Sequence, residues 1–308
     1  MQTEMTLQKA YDRVDAMSIN CVDQNVDVPT IQFDSLELMR IAGEPHAVRP
    51  VAQRSISTRL GIPYQYLARC PIDIQAQNLN HWIKEEKHTQ LFFRFDGSDV
   101  RAIFTPRYVP VDNFEVFERL DSMGYSPDTI VQCSLDPEFM TISIPDGKQA
   151  FEINGDKFSP GIAISNSEVG LASLSISAFV LRLICTNGLI STSGVAASYR
   201  HVSTKILTEF PNVMEKVSLE LANKKDQFKI SMDSIVTNPE SSMINFNRQF
   251  QLNQIEQDAV EWGWSFNVGN TMFNIIQAYT KGAQQNDLTA ESSFKLSRTG
   301  GNILAMVN

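Results

Sequence analysis

Apolar residues recur along this chain in two periods, and the alternation between them sketches the fold. In the opening stretch Met5, Leu7, Ala10, Tyr11 and Val14 share one side of a helix predicted over residues 4–17. Short strand-like pieces follow over 19–34, then a loop at 42–50 punctuated by Gly43, Pro45 and Pro50. Three short helices come next. The first, 51–60, is closed by Gly61; Pro63 and Pro71 each start another, the last carrying Ile74, Leu79, Trp82 and Ile83.

From residue 90 the period shortens to two. Residues 90–95 and 100–106 flank Asp96-Gly97-Ser98-Asp99 as a hairpin, and 129–135 with 139–145 form a second one across Asp136-Pro137-Glu138. A helix over 114–123 lies between them, capped by Asp112-Asn113 and closed by Gly124. Asn154-Gly155 marks a third reverse turn. Residues 161–165 read as a buried strand and 166–170 as a polar turn in which Gly170 takes a positive φ. Ile176, Phe179, Val180, Leu183 and Ile184 then stand at i, i+3, i+4, i+7 and i+8, which predicts a buried helix ended by Asn187-Gly188. Arg182 on that helix needs a partner, and Glu168 in the preceding turn is the candidate.

Beyond residue 202 the chain becomes helical. Met214, Val217, Leu221, Lys224 and Phe228 follow 3–4 spacing as an amphipathic arm. Asn238-Pro239 reads as a linker, 246–262 and 268–281 as helices, and Thr299-Gly300-Gly301 as a break in the last segment. The fold class expected is α+β: an antiparallel sheet with packed helices, followed by a mainly helical C-terminal region. The divisions are 1–49, an N-terminal helix with short strands; 50–201, the α+β core; and 202–308, the helical C-terminal region.

Composition narrows the function. The chain has 308 residues, 43% hydrophobic and 20% charged, enough for a substantial core. A net charge of −9 counts against tight general nucleic-acid binding and leaves room only for a local basic groove. Cys21, Cys70, Cys133 and Cys185 show no metal-ligand spacing and read as reduced thiols. The polar N-terminus carries no signal-peptide pattern, and the best apolar run, 178–184, is short and broken by Arg182. A cytoplasmic protein with no membrane span is expected.

Catalytic motifs are sparse. His81, Glu85 and His88 could share a helix face, but Lys84 and Lys87 flank them, and no metal or other cofactor is expected. Cys185 near His201 reads as a structural thiol rather than a nucleophile. Nucleic acid is the sharper reading. Arg94, Arg101 and Arg107 fall on one hairpin, with Phe92 and Tyr108 as stacking surfaces, a set suited to single strands; the plainer account is an ordinary exposed sheet face. A second cluster, Asn166, Glu168, Arg182, Asn187 and His201, reads either as a ligand site or as a buried ion pair beside a capped helix.

Several stretches taken together carry a resemblance. They are Asn166-Ser167-Glu168-Val169-Gly170, then Arg182-x-x-Cys185-Thr186-Asn187-Gly188, then Tyr199-Arg200-His201. Arg101-Ala102-Ile103-Phe104-Thr105-Pro106-Arg107-Tyr108 running to Asp112-Asn113, Leu60-Gly61-Ile62-Pro63 with Tyr66-Leu67 and Leu79-Asn80, and residues 270–280 belong with them. The set, spread over about residues 50 to 305, resembles the phage/plasmid-like protein family of the domain-of-unknown-function type numbered 932. The resemblance implies phage, plasmid or mobile-element origin and no established activity. The expected function is that of a non-catalytic protein that binds single-stranded nucleic acid in DNA recombination or replication and works as a homo-oligomer. The alternatives are a protein-interaction or structural module acting on a host protein, and, last, an enzyme of unknown class.

Overall fold

The structure is a computed structural model and describes residues 3–183, 187–191, 197–199, 209, 212 and 225–307. In chain order its first elements are β1 (Thr3–Thr6), α1 (Leu7–Ser18), β2 (Cys21–Asp27), β3 (Ile31–Phe33), β4 (Leu38–Ile41) and β5 (Glu44–Ala47). Helices α2 (Pro50–Arg59), α3 (Tyr64–Leu67) and α4 (Ile72–Trp82) precede β6 (Gln90–Asp96), β7 (Asp99–Phe104) and α5 (Asn113–Ser122). Strands β8 (Ile130–Leu135), β9 (Met140–Pro145), β10 (Phe151–Ile153), β11 (Asp156–Asn166), β12 (Leu174–Arg182), β13 (Asn187–Ser191) and β14 (Ala197–Tyr199) come next. Helices α6 (Lys225–Asp233), α7 (Pro239–Gln249), α8 (Gln254–Ser265), α9 (Met272–Gly282) and α10 (Ala290–Ala305) end the chain. The architecture is α+β, with antiparallel sheets and a helical C-terminal region.

By compactness the chain forms two units. The larger comprises Met1–Asp12, Asn113–Asn166 and Ala172–Asn308; the smaller comprises Arg13–Asp112 and Ser167–Leu171. The units interleave along the chain, whereas the composition reading runs in three consecutive regions.

In the smaller unit the described residues form two antiparallel sheets, β2-β6-β7 and β3-β4-β5. Phe33, Met39, Ile56, Leu67, Leu79, Leu91 and Phe93 build its core. The edge of β3 is closed by a side chain. Asn80 Nδ2 donates to the Phe33 carbonyl at 2.7 Å and Asn80 Oδ1 accepts from the Phe33 N–H at 2.8 Å, so one amide stands in for a neighbouring strand. The expected loop at 42–50 contains strand β5, where Pro45 is tolerated because the strand lies at a sheet edge.

In the larger unit the described strands form an eight-stranded sheet ordered β1-β8-β9-β11-β12-β13, with β10 on β11 and β14 on β12. Register gives its two faces opposite character. Gln132, Ser143, Ala163 and Ser177 stand in one row across β8, β9, β11 and β12, and Ser134, Thr141, Ser165 and Ser175 form the next. The alternate positions give Cys133, Ile142, Ile164 and Ile176.

This sheet overturns the predicted helix over 176–184. Residues 176–182 belong to β12, between β11 and β13, Ile184 lies outside the described residues, and Asn187-Gly188 lies within β13 instead of capping a helix. The run from Ile176 to Leu181 is buried on both faces, and with Ser177 as its one polar side chain it satisfies helical spacing as readily as alternation. Its β-branched Ile176 and Val180 favour the strand.

The C-terminal helices start where side chains can cap them. Asn238 accepts from the Ser241 N–H, with Pro239 at the first helical position, so the expected linker is the start of α7. The helix expected over 246–262 is two, because Asn253 and Glu256 form a capping box that begins α8. Thr271 and Asn274 do the same for α9. Gly300 and Gly301 do not break α10: a Cβ at 300 would stand 2.8 Å from Thr280 Cγ2, so glycine there lets α9 and α10 approach. The arm expected at 214–228 lies mostly outside the described residues; Phe228, in α6, is buried against Phe158. Among the described residues no helix is long and apolar enough to cross a membrane.

Candidate functional site

The smaller unit holds a charged cluster inside it, drawn from segments far apart in sequence. Arg94 on β6 is 2% exposed and Arg101 on β7 is 6% exposed. Arg94 Nε donates to Asp23 Oδ1 at 2.9 Å, Nη1 to the Glu168 carbonyl at 3.1 Å, and Nη2 to Asp112 Oδ1. Arg101 Nη2 donates to Glu168 Oε2, and its Nη1 lies 3.1 Å from Cys21 Sγ. Tyr108 Oη donates to the same Glu168 carbonyl at 3.3 Å. Glu168 is thus bound through both its side chain and its backbone.

Local geometry explains how Arg101 reaches that carboxylate. Along the β6–β7 ladder Arg94 faces Ala102 while Phe95 faces Val100, so Arg101 is left opposite the shift in register. Such an irregularity interrupts the alternation of faces and re-aims a side chain. Gly170, at φ +85°, closes the turn that presents Glu168, and a Cβ there would meet the Phe104 ring at 2.6 Å. Phe104 in turn stacks on Tyr108, ring centroids 3.7 Å apart and planes 2° from parallel.

Electrostatics follow the burial. Desolvation pushes Arg94 down, but the Asp112 and Asp23 carboxylates outweigh it and hold its pKa above the usual guanidinium value. Tyr108 is pushed up to about 12 by burial, with Arg94 opposing. Burial also raises the Cys21 thiol, against the pull of Arg101, which makes it a poor nucleophile near neutrality.

The sequence reading of an exposed arginine face is therefore corrected at two positions. Arg94 and Arg101 are buried and neutralised by carboxylates; alternation told which face they share, not that residues 167–171 cover it. Arg107 is exposed, makes no ion pair among the described residues, and follows a half-buried Phe104. Tyr108 is half-buried and stacked on a protein ring, leaving less of it for a base.

The second cluster also divides. Arg182 pairs with Asp156 rather than with Glu168: Nη2 reaches Oδ1 and Oδ2, each at 2.8 Å, and Nε reaches Oδ1 at 3.1 Å. Its guanidinium also lies over the Phe273 ring, 5.1 Å from the centroid. Asn166 Nδ2 donates to Asn113 Oδ1 at 2.9 Å, within the larger unit. Asn187 is a β13 residue whose backbone faces Arg182. His201 and Cys185 lie outside the described residues.

Sequence reasoning missed a groove. In the smaller unit a cleft of about 890 Å³ runs between residues 27–32 and 80–89, lined by Asp27, Thr30 and Gln32 from the first segment and by Lys84, Lys87 and His88 from the second. Lys84 and Lys87 are exposed, and neither makes an ion pair among the described residues. Glu86 between them is already paired with Arg59, Nη1 to Oε2 at 3.1 Å, and hydrogen-bonded to His88 Nδ1 at 2.7 Å. The two lysines were visible in the sequence only as neighbours of the histidines weighed for metal. Among the described residues no three His, Cys, Asp or Glu side chains gather as a metal site.

Residues 101–293 match the family model described as a domain of unknown function, DUF932. No curated protein and no solved structure matches the chain.

Proposed function

Because the chain belongs to the DUF932 family, whose description assigns no activity, its role has to be read from its own surface, and we propose that it is a non-catalytic, phage- or plasmid-borne protein whose ligand is single-stranded nucleic acid. The observation that carries the reading is the groove beside Lys84 and Lys87. At about 890 Å³ it is an open cleft rather than a closed pocket, with room for part of a strand to lie along its charged wall. Its two lysines keep their charge available, whereas Arg94 and Arg101 are neutralised internally. On a chain of net charge −9, two available lysines set against the Asp27 carboxylate, with Glu86 already paired to Arg59, leave a small local surplus of the sign that an anionic backbone would need. The half-buried Cys21 thiol, its pKa raised by desolvation, and the inward-turned charges around Glu168 favour a role without chemistry.

The test is fluorescence anisotropy of a labelled oligonucleotide across a range of salt. Binding is expected to weaken linearly on a log–log plot, by about 0.7 per phosphate contact for single strands. Lys84→Ala with Lys87→Ala is expected to make that slope shallower by roughly 1.4 with the fold intact. No binding at low salt, where an electrostatic site is strongest, overturns the reading.

A second reading has its own support. Ile255, Phe266 and Val268 are 60%, 62% and 70% exposed in the larger unit, apolar surface of the kind protein partners cover. If the oligonucleotide fails, an interaction module acting on a host protein takes precedence.

A further inference from the structure

The larger unit contains a cavity of a different chemistry. It has a volume of about 270 Å³ and opens beside the first turns of α1 and the face of α5. Three aromatic rings line it, Tyr11, Phe117 and Tyr125, together with the carboxylates of Glu118 and Asp121. Phe117 is buried, and Tyr11 stands edge-on to it with centroids 5.8 Å apart and planes at 71°. Tyr125 is half-buried and its hydroxyl is pushed up, by burial and then by Asp146, so it stays neutral.

The carboxylates decide the ligand. Glu118 and Asp121 are exposed, and neither makes an ion pair among the described residues. Two uncompensated negative charges exclude an anion, and a neutral apolar group would strip them of water without return. A cation gains from both carboxylates and from the negative faces of the rings, an attraction that strengthens as water is excluded. At about 270 Å³ the cavity is below the usual size of roughly 300–1,000 Å³ for a whole ligand, so it suits a head group.

We propose that this cavity binds an organic cation, an alkylammonium group whose head sits among Tyr11, Phe117 and Tyr125 with its charge met by Glu118 and Asp121. The site shares no residue with the lysine groove and stands independently of the nucleic-acid reading.

The probe is choline chloride, set against its uncharged carbon analogue 3,3-dimethylbutanol, followed by NMR of the tyrosine ring resonances in the full chain. Choline is expected to shift Tyr11 and Tyr125 saturably, and the uncharged analogue to bind at least about tenfold more weakly. Glu118→Gln with Asp121→Asn is expected to weaken choline by about tenfold or more, and because both side chains are exposed the circular dichroism spectrum should be unchanged. A peptide carrying trimethyllysine separates the two sources of such a cation: tighter binding than choline points to a protein side chain, and weaker or equal binding to a free amine. Equal binding of the uncharged analogue, indifference to the carboxylate replacements, or no saturable shift overturns the proposal.

Discussion

Arg101 and Glu168 stand 67 positions apart and share an ion pair inside the smaller unit, their side chains 7% and 13% exposed. The pair ties two of the family-like segments together, the one opening at Arg101 and the turn around Glu168. Removing either partner leaves the other charge desolvated. Arg101→Ala or Glu168→Ala is expected to cost about 3–5 kcal/mol in urea denaturation. The joint change Arg101→Met with Glu168→Leu should cost clearly less than the two single changes summed, because it leaves no orphan charge. Single variants within about 1 kcal/mol of the parent would show the pair to be solvated.

Arg182 and Asp156 make a two-pronged contact at the end of β12, with side chains 16% and 17% exposed. Loss of charge-assisted hydrogen bonds here is expected to cost about 1.5–3 kcal/mol for Asp156→Asn. Arg182→Lys should recover little of it, because an ammonium cannot reproduce the fork geometry or the contact over the Phe273 ring. Thermal denaturation of both variants decides this; full rescue by lysine would mean that only the charge matters.

Helices α8 and α9 touch backbone to backbone. A Cβ at Gly263 would lie 2.1 Å from the Ala278 carbonyl oxygen, and one at Gly282 would lie 2.7 Å from that of Ala259. Alanine normally stabilises a helix interior by up to about 1 kcal/mol relative to glycine. Here overpacking should win. Gly263→Ala is expected to destabilise by about 1–3 kcal/mol, and Gly282→Ala by less, measured by urea denaturation. A gain in stability at either site would show the helices free to separate.

The Glu86 carboxyl is held at about 2: burial pushes it up, but hydrogen bonds from the His88 ring and backbone, and then Arg59, outweigh that. An unfolded glutamate titrates near about 4.3. With the folded value below the unfolded one, the contribution is complete above about pH 4.3 and is lost as pH falls through about 2. Melting temperatures of the parent and Glu86→Gln should therefore differ most above about pH 5 and converge toward pH 2. A constant difference across that range would mean that the charge of Glu86 contributes nothing.

The local elements were largely legible. The hairpins around Gly97 and Pro137, the turn at Asn154-Gly155 and the helices over 50–82 follow from alternation, turn residues and prolines, all encoded within a few positions. What failed was non-local. Residues 176–184 carry no polar positions regular enough to separate a buried strand from a buried helix, and the strand's neighbours decide the matter. The pairing of Glu168 with Arg101 instead of Arg182 depends on a shift in register at Arg94–Phe95 that no single-residue preference announces. The lysine groove and the aromatic cavity are likewise products of packing, each lined from segments tens of residues apart.

The hydroxyl rows of the eight-stranded sheet also bear on how the chain finds its native pairing. Because side chains alternate, sliding β9 by one residue against β11 would set Thr141 and Ser143 among isoleucines and turn Ile142 and Ile144 toward serines. Both faces would be penalised by a single slip. A two-residue slip would keep the faces but abandon pairing at the strand ends. The serines thus act against misassembly more than for cohesion: a sheet with isoleucine on both faces could tolerate many alignments, and this one is restricted to few.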